Sequence, residues 1–167
     1  TFSGLFDGNN YLDSLSVNSG STLTSNDACV IDLEVFSATN ELTFEYVFGS
    51  EEYPEFVGDG FNDIFAFLIS GPGIVGETYL DGQQNIAVLP TDQTPVEIDN
   101  VNNNTNWQFY RDNTNSPSIQ YDGLTSDFFG VKKSLTARAE VMPCSTYQLK
   151  LAIADRGDWS YDSGVFI

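Results

Sequence analysis

Along residues 41–48 the side chains alternate: Leu42, Phe44, Tyr46 and Phe48 fall on one side, Glu41, Thr43 and Glu45 on the other. A period of two marks an extended strand with one face in a core and the other toward water. The alternation returns at Leu149, Leu151 and Ile153 against Gln148, Lys150 and Ala152. Residues 64–69 are apolar at every position, as in a central strand covered on both faces. Similar short β-branched and aromatic runs, separated by Gly, Asn, Asp and Pro, recur along the chain, and helical periodicity is scarce. The expected fold is all-β: an antiparallel, jelly-roll-like β-sandwich with long acidic loops and at most one or two short helices. The expected strands are residues 28–36, 41–48, 63–69, 85–89, 106–110, 132–141, 147–154 and 164–167.

With 167 residues, 41% of them hydrophobic and 14% aromatic, the chain can bury one sizeable core, and residues 1–167 read as one module. That aromatic content excludes an acidic disordered segment. The longest apolar run falls far short of the roughly 20 residues needed to span a bilayer, so no membrane insertion is expected. No repeat or composition break divides the chain. Residues 99–118, crowded with Asn, Thr, Asp and Ser around Trp107, Phe109 and Tyr110, read as a turn-rich excursion. The sequon Asn103-Asn104-Thr105 within it is a pattern too frequent by chance to carry weight.

The charge balance is extreme: 24 Asp and Glu against 6 Lys and Arg, with no His, for a net charge of −18. Such a chain repels phosphate backbones and anionic lipid, which argues against nucleic acid as a partner and favours cations. Two clusters exceed what solubility requires. Glu51, Glu52, Glu55, Asp59 and Asp63 lie in a Gly-bounded connection between two apolar strands, and Asp155, Asp158 and Asp162 occupy a second. Calcium fits both, since irregular Asp/Asn/Gly loops supply the 6–8 oxygen ligands that this ion takes. Zinc and copper prefer His or thiolate. Neither loop has the EF-hand pattern, and a solvated acidic turn is the competing reading of each alone. Should the loops meet, their carboxylates would raise one another's pKa and a cation would relieve the repulsion. The candidate metal set is Glu51, Glu52, Asn62, Asp63, Asp155, Asp158 and Asp162.

Catalysis has less support. Without His there is no Ser-His-Asp chemistry, and a glycosidase pairing of Glu51 or Glu52 with Asp155 is the residual option. The chain is therefore not expected to be an enzyme. Tyr53, Trp159 and Tyr161 are the candidate ligand-contacting rings, able to pack on a peptide or stack on a sugar. Arg138, Lys132 and Lys133 read as solvated strand residues. Cys29 and Cys144 are far apart in sequence, and either one long-range disulfide or two buried thiols is compatible with that.

Several stretches resemble the choice-of-anchor L domain of secreted bacterial surface proteins. They are Asn26-Asp27-Ala28-Cys29, then Phe44-Glu45-Tyr46-Val47-Phe48-Gly49-Ser50-Glu51-Glu52-Tyr53-Pro54-Glu55-Phe56-Val57, then Phe61-Asn62-Asp63-Ile64-Phe65-Ala66-Phe67. Pro143-Cys144 and Asp162-Ser163-Gly164-Val165-Phe166 continue the order. The resemblance implies an extracellular β-rich module, a monomeric part of a larger exported protein, with Cys29 and Cys144 bridged. The chain is also similar to peptide-binding modules of large calcium-dependent adhesins. That similarity implies that Ca²⁺ at Glu51, Glu52, Asn62, Asp63, Asp155 and Asp162 helps hold the terminal carboxylate of a peptide or protein ligand. A calcium-dependent glycan-binding module, or a structural domain with purely stabilising calcium, is the alternative.

Overall fold

The computed structural model describes residues 8–18, 20, 22–116, 119–126 and 134–167. Two antiparallel sheets face each other, as the alternation predicts. The first has the order β1 (Ser25–Ser37), β8 (Ser145–Arg156), β3 (Ile64–Ser70), β4 (Gln84–Asn85). The second runs β5 (Tyr110–Asp112), β6 (Gly123–Thr125), β2 (Glu41–Ser50), β7 (Leu135–Glu140), with β9 (Ser163–Phe166) also on β2.

Strand β3 shows why residues 64–69 are apolar throughout. Phe65, Phe67 and Ile69 enter the core between the sheets with Tyr46, Phe48, Tyr147 and Leu149. Ile64, Ala66 and Leu68 face the other way, under Leu12 and Leu15 of the one α-helix among the described residues, α1 (Asn10–Asn18). At roughly 25 cal/mol per Å² of apolar surface removed from water, these two layers are the main stabilising term. Asn9 caps α1, its Oδ1 accepting from the amides of Tyr11 (3.0 Å) and Leu12 (3.3 Å). Asp13 fastens the helix to β1, accepting from the Ser25 amide at 2.6 Å. No helix among the described residues is long and apolar enough to cross a membrane.

Three expected strands are altered. The one at residues 85–89 shrinks to β4 because Asn85 Oδ1 takes the amides of Phe67 and Ala87, both at 3.1 Å, in place of further strand pairing. The one at 106–110 begins as a 3-10 turn, Trp107–Phe109, entered by Asn106 in the left-handed region at φ 48°. The start of the one at 132–141, with Lys132 and Lys133, lies outside the described residues.

The cysteine expectation is overturned. Cys29 opposes Ile153 in the β1–β8 ladder, whereas Cys144 directly precedes Ser145, which opposes Ser37. Nine strand residues at about 3.3 Å each separate them by roughly 30 Å, far beyond the Cα reach of a disulfide. Both are free and exposed, so they are not buried thiols either.

Candidate functional site

The chain leaves β2 at Ser50, crosses residues 51–63, and enters β3; it leaves β8 at Arg156, crosses 157–162, and enters β9. Because β3 pairs with β8 and β9 pairs with β2, these two acidic connections must emerge at the same end of the sandwich. They are joined there. The Asn62 amide donates to the Arg156 carbonyl (3.1 Å) and the Glu51 amide to the Asp162 carbonyl (3.3 Å). Phe56 of the first loop packs on Tyr161 of the second, ring centroids 5.1 Å apart. Gly157 permits the close approach: it sits at φ 106°, and a Cβ there would overlap the Gly60 carbonyl.

Three carboxyls are buried in this junction. Glu52, only 1% exposed, has no hydrogen-bond partner on Oε2. Asp63 accepts from the Ser163 hydroxyl at 2.6 Å and the Arg156 amide at 3.1 Å. Asp155 lies near the end of β8, opposite Asn26. Burial, followed by the charges of Asp63, Asp158 and Asp155, pushes Glu52 up to about 8. Burial, then Asp63, Asp162, Asp27 and Asp158, raises Asp155 to about 7. Asp63 rises to about 6, burial again dominating over the hydrogen bonds that oppose it. The fully buried Arg156 directs Nη1 to Glu97 Oε2 at 3.0 Å.

The expected metal set is thus partly assembled. Glu52, Asp63 and Asp155 converge with Asp158 and Asp162 close enough to act on them electrostatically. Glu51 is half-buried at the edge, where burial first, and then the charges of Asp162 and Glu51, raise Tyr121. Asn62 is turned away: its Oδ1 takes the Asp99 amide at 2.8 Å, and its side chain hydrogen-bonds Glu97. Asp158 caps its own turn, accepting from the Ser160 amide at 3.2 Å. Among the described residues, no group of three or more Asp, Glu, Cys or His side chains has the placement to hold a metal ion. Glu55 and Asp59 are exposed.

Tyr53 is a correction. It is a core residue, completely buried, its hydroxyl donating to the Val101 carbonyl at 2.5 Å and its ring 5.0 Å from that of Tyr110, so it has no surface for a ligand. Trp159 and Tyr161 are 65% and 50% exposed beside the carboxylates. Asp27 is the member that sequence reasoning missed. It sits at φ 47° where the β1–β8 register slips between Asn26 and Cys29, and its charge acts on Asp155. The motif Asn26-Asp27-Ala28-Cys29 held the signal, but a bulge is not visible in an alternation pattern.

An all-β sandwich with a carboxylate-rich junction between two loops is the class that this geometry defines. Residues 3–167 match the family described as Choice-of-anchor L domain, and the chain belongs to that family. Membership makes it an extracellular surface domain of bacterial surface or secreted proteins. No curated protein and no solved structure matches.

Proposed function

We propose that this domain is a calcium-dependent adhesion module: its acidic junction holds one or more Ca²⁺ ions, which bind a peptide or protein ligand through a terminal carboxylate. The observation that carries this reading is Glu52 Oε2, a buried carboxylate oxygen without a partner, surrounded by Asp63, Asp155 and Asp158. Ionising a buried carboxyl without a counter-charge is costly, and a hard cation is the ligand that an all-oxygen donor set fits. Glu52 and Asp155 would hold the ion, with Asp158 and Asp162 drawn in from the β8–β9 loop. A cation so held lets an acidic protein bind an acidic group. A glycan ligand is the second reading, favoured by the exposed rings of Trp159 and Tyr161 beside the site.

Calorimetry on chelator-treated protein tests the proposal. Ca²⁺ is expected to bind with measurable heat and to raise the melting temperature. A peptide with a free C-terminus is then expected to bind only with Ca²⁺ present, at least tenfold tighter than its C-terminal amide. The absence of both heat and thermal shift at millimolar Ca²⁺ refutes the metal site. Calcium binding with equal affinity for the two peptides refutes the carboxylate mode alone.

A further inference from the structure

Strand β1 borders the first sheet and pairs only with β8 among the described residues. Its outer side therefore presents a row of backbone N–H and C=O groups with no strand beside it, the feature that natural sheets shorten, charge or cover. This edge is not short, and no strand among the described residues covers it. Over residues 31–36 it exposes Ile31 (49%), Leu33 (44%) and Phe36 (64%), in a protein whose other strands mostly bury their large apolar side chains.

The two faces of this edge differ in chemistry. Ile31, Leu33 and Val35 pair with Leu151, Leu149 and Tyr147 and so lie on the core-facing side. The second sheet leaves Ile31 and Leu33 about half open. Asp32 and Glu34 lie on the opposite face, beside Lys150 and Gln148, followed there by the exposed Phe36 opposite Thr146. Lys150 pairs with Asp32, whose side chain stays 57% exposed, and Gln148 Nε2 donates to Glu34 Oε2 at 2.9 Å. Lys150 thus pairs with one of these two exposed carboxylates, and Glu34 is met by a neutral amide.

We propose that the outer edge of β1 is a strand-docking site for an extended partner peptide in which basic and apolar residues alternate. Backbone pairing would supply the affinity common to strand addition. Specificity would come from the alternation: Lys or Arg beside Asp32 and Glu34 on one face, Val, Ile or Leu beside Ile31, Leu33 and Val35 on the other. A second copy of this chain is the wrong occupant. Antiparallel pairing of β1 with itself centred on Leu33, the register that joins the two apolar stretches, would set Asp32 against Glu34 of the other copy, and each copy carries a net charge of −18. The site is independent of the carboxylate junction and needs no metal.

The test uses the intact domain in chelator at 0.15 M salt. A fluorescent heptapeptide alternating Val and Lys is compared with a shuffled peptide of the same composition and with its Val/Glu counterpart. The alternating basic peptide is expected to bind at least tenfold tighter than either, and to slow amide hydrogen exchange in residues 29–36 without slowing it in β7, another bordering strand. The double variant Asp32→Lys with Glu34→Lys is expected to lose at least tenfold in affinity. Exchange on the unmodified protein decides the matter if that variant folds poorly. Equal binding of the shuffled peptide, or no protection in β1, overturns the proposal, because the attraction is then only the general pull of an acidic protein on a cation. Sedimentation showing a dimer of the domain alone, with β1 protected, also overturns it.

Discussion

Replacing Glu52 by Gln should stabilise the metal-free domain, and only at neutral to alkaline pH. Burial and three neighbouring aspartates hold this carboxyl neutral up to about 8, against an ordinary value of 4.5. Folded protein therefore retains a proton that the unfolded chain has released, and stability falls as pH rises from 4.5 to about 8, then levels off. At 1.36 kcal/mol per pH unit the full penalty is about 5 kcal/mol; loop relaxation and water entry reduce it to about 2–3 kcal/mol. Gln keeps the shape without the charge. For a domain of this size, each 1 kcal/mol moves the melting temperature by roughly 2–4 °C. Glu52→Gln in chelator should thus melt about 5–10 °C higher than the unsubstituted protein at pH 8.5 and within about 2 °C of it at pH 5. Differential scanning calorimetry at both values measures this. A variant that melts lower at pH 8.5, or gains equally at both, would show that Glu52 is held by a favourable partner and that the junction is not electrostatically strained.

Two further outcomes follow from the geometry. With Cys29 and Cys144 roughly 30 Å apart along the β1–β8 ladder, dithiothreitol should leave the melting temperature unchanged within about 1 °C, and both thiols should react with maleimide in the folded protein by mass spectrometry; a drop of several degrees on reduction would contradict the register. Gly157→Ala should cost about 2 kcal/mol or more through its φ of 106° and its overlap with the Gly60 carbonyl, and the Ca²⁺ affinity should fall with it; a variant with unchanged denaturant midpoint would mean that the two loops are not packed as described.

The strands with a clean period of two, β2 and β8, were legible because alternation maps directly onto a sheet with one face in the core. Strand β3 was legible for the opposite reason, its unbroken apolar run announcing cover on both sides. Helix α1 was not: among its described side chains, Leu12 and Leu15 are buried against the sheet and Tyr11 partly so, too few positions to mark a helical period. The excess of carboxylates was plain in the sequence, and their convergence follows from β3 pairing with β8 and β9 with β2, a long-range fact that no local pattern contains. Local reading also misassigned Tyr53, because a ring beside acidic residues looks like a ligand platform until the Val101 carbonyl takes its hydroxyl. The disulfide was an option that two distant cysteines left open and family resemblance favoured, and neither carries register.

The ladder that joins Ser25 to Arg156 ties together strands that lie far apart in the sequence. Contacts of such high order close slowly, since the intervening loop must lose its entropy before any of them forms. A nascent chain leaving a ribosome or an export pore cannot complete its first sheet until β8 has emerged, and Asp155 takes its place beside Glu52 only with that same strand. If the junction binds Ca²⁺ as proposed, that capacity would arrive late and all at once, with the completed sheet.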